Sequence, residues 1–145
     1  MQPTQINEMV SVAGQIAKGD VAALKQAGFA TIVNNRPDNE EPGQLTAAEA
    51  EAEAKKQGIG YRYMPVVTGA ITRTQVQEFQ RLVLRSPQPV LAHCRSGTRC
   101  YLLWAAGRVL FDGESALKLV AEAATKGYDL RVLPALVEKL EAEKG

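Results

Sequence analysis

Pro87-Gln88-Pro89-Val90-Leu91-Ala92 runs directly into His93-Cys94-Arg95-Ser96-Gly97-Thr98-Arg99, and a long apolar helical pattern begins at Thr98. A buried strand ending in cysteine, a tight glycine-containing turn and a helix amino terminus therefore follow one another without a spacer. That order predicts an α/β fold whose site lies at the carboxyl end of a strand. It also predicts a chemistry. The N–H groups of the turn and of the first helical turn lack partners within the helix, and Arg99 adds a full positive charge, so an anion is favoured beside the cysteine. Such a setting takes a thiol pKa from about 8.5 into the range of roughly 3.5 to 7.5, leaving Cys94 ionised and nucleophilic at neutral pH. The plain alternative is a buried structural cysteine at a strand end. The placement of Gly97 and Arg99 favours the reactive one.

Outward from this stretch, strand-like and helix-like segments alternate. Residues 9–13 read as a first strand, and 19–27 as a helix with Asp20 near its start and Gly28 as its stop. Residues 31–33 form a compact buried strand, and 47–57 an Ala/Glu/Lys helix capped by Thr46 and stopped by Gly58. A strand is expected over 61–67. The helix over 72–84, capped by Thr72, has Val76, Phe79, Leu82 and Val83 at helical spacing, and the strand over 89–92 delivers Cys94. The segment 98–111 is apolar almost all round, which places it in the middle of the domain. Amphipathic helices follow over 114–126 and 134–143, with Pro134 suited to a first helical position. The pattern predicts one domain over residues 1–145, built as three layers: a mostly parallel sheet of four to five strands flanked by helices.

Composition narrows the function classes. The 145 residues carry 17 Lys and Arg against 16 Asp and Glu, a net charge of +1, so no basic field exists to recruit nucleic acid. The first eight residues lack the pattern of an export signal and no apolar run approaches a membrane span, so a cytoplasmic protein without a membrane partner is expected. Cys94 and Cys100 are the two cysteines and His93 the single histidine. No Cys/His cluster suggests a metal, and no cofactor is expected. The twelve-residue loop 34–45, NNRPDNEEPGQL, sits at the carboxyl end of the second strand, where it should overhang the cysteine. It offers Arg36 as an anion clamp and Asp38, Glu40 and Glu41 as proton donors, or it is simply a solvated turn cluster.

Four separate stretches, MVSVAGQI (9–16), NNRPDNEEPGQ (34–44), MPVVTGAIT (64–72) and HCRSGTRCYLLWA (93–105), resemble in order the bacterial beta-lactamase-hydrolase-like phosphatase domains. Those domains belong to the wider cysteine-dependent protein tyrosine and dual-specificity phosphatase fold. The resemblance implies a phosphatase-like core, with Cys94 as nucleophile, Arg99 as the oxyanion-binding arginine and the amides of Arg95, Ser96, Gly97, Thr98 and Arg99 as the anion cradle. It implies hydrolysis of a phosphoester, on a phosphorylated protein or a small molecule, through a thiophosphoryl-cysteine intermediate.

The chain also departs from that pattern. Four residues, not five, separate Cys94 from Arg99, and no carboxylate lies in 66–72, where such phosphatases keep their general acid. Asp38, beside Pro37, is then the expected proton donor. The wording CRSGTR and its four-residue spacing also resemble the active loop of rhodanese-type sulfurtransferases. That likeness implies a persulfide on Cys94 and a sulfane-sulfur donor as partner. A non-catalytic binder of anions or phospho-groups is a third reading. Cys100 stands where the wider family usually has a hydroxyl, so it is either a redox partner for Cys94 or apolar filler. His93 either orients the loop or packs at the strand end.

Overall fold

The computed structural model describes residues 2–143. A mixed five-stranded sheet forms the centre, from β1 (Thr4–Gln5), β2 (Val10–Ala13), β3 (Thr31–Asn34), β4 (Gly60–Tyr63) and β5 (Val90–His93). The spatial order is β1-β2-β5-β3-β4, antiparallel only between β1 and β2. The last strand in sequence is thus the middle strand in space. Its final residue, His93, pairs in register with Ala13 on one side and Asn34 on the other. Cys94 therefore leaves the sheet at the centre of its carboxyl edge, flanked by the loops that follow β2, β3 and β4.

Side chains along each strand alternate between two cores, as the pleat requires. Ile32 and Leu91 face α1 (Asp20–Gln26) and α2 (Ala47–Gln57), packing with Ile16, Leu24 and Ala54. Val33, Val90 and Ala92 face the opposite core, with Phe79, Leu103 and Leu133 from α3 (Arg73–Arg85), α4 (Thr98–Asp112) and α6 (Leu133–Ala142); α5 (Ala116–Thr125) adds Leu119 and Ala123. This is the three-layer α/β arrangement expected from the alternation. The helix after the cysteine is as central as its composition demanded, with Arg99, Cys100, Tyr101, Leu103, Ala105, Ala106 and Gly107 buried.

The caps read from sequence close as expected. Thr46 and Glu49 form a capping box on α2, Thr72 and Gln75 another on α3, and Gly58 ends α2 at φ 73°. Two segments differ from expectation. The polar stretch before residue 8 contributes the short edge strand β1, which alternation of apolar residues could not reveal. The strand expected over 61–67 stops at Tyr63, because Pro65 has no N–H for the ladder and the chain swings across β3: Met64 N–H donates to Asn34 O and Val66 N–H to Asn35 O. That swing carries the Val66 carbonyl to the cysteine loop.

Candidate active site

Cys94 is 1% exposed and sits on the turn between β5 and α4. The Gly97 N–H donates to its Sγ at 3.1 Å. Gly97 caps α4 at φ 93°, a left-handed conformation open chiefly to glycine, and a Cβ there would lie 2.5 Å from Tyr128 Oη. No side chain caps α4, so its first amides are free to serve the turn. The Cys94 pKa is lowered to about 5, first by a hydrogen bond from the Cys100 thiol, then by the amides of Cys100, Gly97 and Ser96, against the opposing effect of burial. Cys100 is fully buried, and burial followed by the neighbouring Cys94 raises its own pKa, so it stays a thiol and a donor. Cys100 is thus placed as a hydrogen-bond donor to the Cys94 sulfur. The shift favours the thiolate expected at Cys94, and Arg99 is not among its leading causes.

Arg99 is instead matched by a carboxylate. Its Nη1 and Nη2 donate to the two oxygens of Glu40, both at 3.1 Å, and Nη1 also reaches Val66 O at 2.8 Å and Asn35 O at 3.4 Å. This fork fixes the guanidinium plane. Arg99 Nε is buried and has no partner, which leaves one charged donor for an anion in the loop. Behind it, Arg36 Nε donates to Glu40 Oε1 at 2.9 Å and Arg36 Nη1 to Gln15 Oε1 at 3.0 Å, and Arg36 also pairs with Glu41 at 3.2 Å. The Glu40 carboxylate, hydrogen-bonded first by Arg99 and also by Arg36, is held below the usual range and stays ionised.

Cys94 opens into a cleft of about 930 Å³, whose walls include Arg95, Ser96, Thr98, Arg99 and Glu40. Four of the residues expected to form the cradle thus line the same cleft as Cys94, and the fifth, Gly97, meets the sulfur through its amide. Three further residues singled out from the sequence lie as follows. Arg36 is 1% exposed and braces Glu40: Nε and Nη1 are bonded to Glu40 and Gln15, and Nη2 lies 3.2 Å from Glu41 without a hydrogen bond, so the residue is not an open clamp. Asp38 is not on the cleft wall; its Oδ1 accepts the Ala47 N–H at the start of α2, and its own amide donates to Tyr63 Oη. His93 is buried with both ring nitrogens unpartnered, and burial pushes its pKa down to about 4, so the ring is neutral. Its backbone carbonyl accepts the Asn35 N–H and so ties β5 to the loop after β3.

Several contributors carry no signal of chemistry in the sequence. Gln15, Asn35 and the Val66 carbonyl are ordinary polar groups until topology brings the ends of β2, β3 and β4 around Cys94. Gly14 supports the turn as closely, since a Cβ there would lie 2.9 Å from Arg95 O. Among the described residues no group of three or more His, Cys, Asp or Glu is arranged to hold a metal ion, and no helix is long and apolar enough to cross a membrane.

Residues 4–111 match the family described as beta-lactamase hydrolase-like protein, phosphatase-like domain. A beta-lactamase hydrolase-like protein of Agrobacterium fabrum is 34% identical over 98% of the chain, and one of Xylella fastidiosa is 33% identical over 90%. The chain spans about a third of the length of these relatives, 33% and 30% respectively. A candidate phosphatase from Neisseria meningitidis is 30% identical, superposes with a TM-score of 0.85, and covers 94% of this chain and 96% of its own. The active form of Tk-PTP shares the fold, with a TM-score of 0.75 at 22% identity over 98% of this chain and 97% of its own. With the match extending over the cysteine loop, the Arg99 fork and the strands that hold them, the chain belongs to the beta-lactamase hydrolase-like phosphatase-like domain family.

Proposed function

We propose that the domain is a cysteine-dependent phosphatase-like hydrolase. Cys94 attacks phosphorus in a phosphoester, the P–O bond to the leaving alcohol breaks, and water then releases phosphate from the thiophosphoryl-cysteine. Loop amides and Arg99 Nε hold the non-bridging oxygens. The observation that carries this reading is geometric: Cys94 Sγ accepts the Gly97 N–H at 3.1 Å in a cleft that Arg99 also lines, and the buried Arg99 Nε is unpartnered.

The carboxylates on the cleft wall narrow the substrate. Glu40 is held ionised by Arg99 and Arg36, and Asp129, whose pKa is lowered to about 2 by hydrogen bonds from Arg131, is equally unable to give up a proton at neutral pH. Asp38 serves α2 in this proposal, not the leaving group. The reaction is therefore proposed for esters whose leaving oxygen departs without a proton, aryl phosphates above all.

The four-residue spacing and the absence of a neutral carboxyl also favour a second reading, sulfur transfer. There the Cys94 thiolate takes sulfane sulfur from thiosulfate with release of sulfite, and passes it to a thiophilic acceptor, with no general acid required. One experiment separates the two: parallel assay of the protein with 4-nitrophenyl phosphate and with thiosulfate plus cyanide. Phosphate release that is lost in Cys94→Ser supports the hydrolase. Thiocyanate without phosphate assigns the loop to sulfur. Neither product, with Cys94 still protected from alkylation by vanadate, leaves an anion binder.

A further inference from the structure

The cleft beside Cys94 is much larger than an anion needs. At about 930 Å³ it lies at the upper end of small-molecule sites, and the wall facing the cysteine loop is apolar. Most of that wall comes from α6 and the residue before it. Leu133, Val137 and Leu140 form the helix stripe that enters the core. Val132, Ala135, Leu136 and Lys139 repeat at i, i+3, i+4 and i+7, and this second stripe lines the cleft. A helix on a domain surface needs only one apolar stripe. Val132 is 60% exposed and is not committed to the fold, while Leu136 packs partly against the core and presents the rest of its side chain to the cleft. Leu102 and Ile71 continue the apolar surface toward Cys94 and Arg99.

The charges of the cleft limit what occupies it. Arg95, Arg99 and Lys139 are set against Glu40 and Asp129, so a single anionic group is accommodated at the loop while a second would meet a carboxylate. Polar backbone, as in a bound peptide, would find few partners along Val132, Ala135 and Leu136.

We infer that the α6 wall is a binding site for the apolar body of a small aryl or alkyl-substituted aryl phosphate, whose phosphate meets the Cys94 loop while its hydrocarbon lies against Leu102, Val132 and Leu136. This inference rests on the reading of the loop as an anion site. It adds the class of substrate that the site selects.

The test reads binding without turnover: protection of Cys94 from iodoacetamide by inorganic phosphate, methylphosphonate, 4-butylbenzylphosphonate and a pentapeptide containing phosphonomethylphenylalanine. In the native protein 4-butylbenzylphosphonate should half-protect at a concentration about tenfold or more below that of methylphosphonate, the effect of burying even part of its hydrocarbon. Val132→Asp, an exposed position, should cut that advantage to about threefold or less. Equal half-protection by the two phosphonates, with phosphate still protecting, would overturn the apolar site and leave the anion reading standing. An advantage untouched by Val132→Asp would overturn its location on α6. A peptide that protects about tenfold better than 4-butylbenzylphosphonate would give the wall to a protein substrate and also overturn the inference. If none of the four protects, inorganic phosphate included, the anion reading fails and the inference with it.

Discussion

Two polar loops meet at the carboxyl edge of the sheet, and they are built from different materials. The turn from His93 to Arg99 works through its backbone: a left-handed Gly97, amides directed at Cys94 Sγ, and a helix with no side-chain cap. The loop from Asn34 to Leu45 works through side chains, with Glu40 gripped by two arginines and Asp38 spent on the start of α2. The difference separates two tasks that the sequence tempts one to merge. Making the thiolate belongs to the short turn and to Cys100. Orienting Arg99, the cation proposed to meet the substrate, belongs to the long loop.

The largest expected effects probe that separation directly. Arg99→Ala should lower kcat/KM for an aryl phosphate by about 10³-fold, the scale of losing a fixed donor to a developing oxyanion. The Cys94 pKa, measured by alkylation, should stay low in the same variant, since the helix amides and Cys100 remain. Arg99→Lys should not rescue turnover, because an ammonium cannot span both Glu40 oxygens and still leave a donor aimed inward. A Cys94 pKa that rises to the ordinary thiol value in Arg99→Ala would merge the two tasks again.

Gly97→Ala comes next. An alanine must adopt φ 93° and place its Cβ 2.5 Å from Tyr128 Oη, so the turn must deform. The strain alone costs about 1–2 kcal/mol. Both thermal stability and thiolate reactivity should fall together, and a variant with native reactivity would show that the turn does not depend on this geometry.

Within the long loop, Glu40 and Asp38 should part company. Glu40→Gln leaves Arg99 and the buried Arg36 short of a counter-charge, which should cost about 1–3 kcal/mol of stability and raise KM more than it lowers kcat. Asp38→Asn keeps an oxygen for the Ala47 amide and should change turnover by about twofold or less. A selective loss in Asp38→Asn with poor leaving groups would restore it as the proton donor.

A further comparison concerns Cys100. Cys100→Ala removes the leading hydrogen bond to Cys94 and should move the Cys94 pKa up toward the ordinary thiol range, while Cys100→Ser keeps a donor and should hold it low. The same contact predicts that peroxide, after oxidising the Cys94 thiolate to a sulfenic acid, yields a Cys94–Cys100 disulfide with loss of water. Dithiothreitol should restore activity in the native protein, whereas in Cys100→Ser further peroxide carries the unprotected sulfenic acid on to a sulfinic acid that dithiothreitol does not reduce.

How far these roles could be read beforehand follows from the same contrast. The cysteine turn was legible because strand, glycine and helix start are local signals, and one apolar helix after it could only be central. The capped helices α2 and α3 were legible for the same reason. Arg36 and Asp38 were not, since a charge in a loop says nothing about its partner until β3 is set beside β5 and the ends of β2 and β4 arrive. The apolar wall was hidden differently. Ala135 and Leu136 read as parts of one amphipathic helix and Val132 lay outside it, and only the packing of Leu133, Val137 and Leu140 into the core shows which side is left to face the cleft.

The central claim is that Cys94 is a thiolate made by the turn, and the pH dependence of its alkylation tests it most directly. Iodoacetamide reacts with the thiolate, so the rate should climb as pH rises through about 5 and be flat from pH 6.5 upward. Below pH 5 the protonated sulfur should become inert while the fold persists. A single inflection between about pH 8 and 9, the value of an unassisted thiol, would contradict the account and with it the assignment of Cys94 as nucleophile.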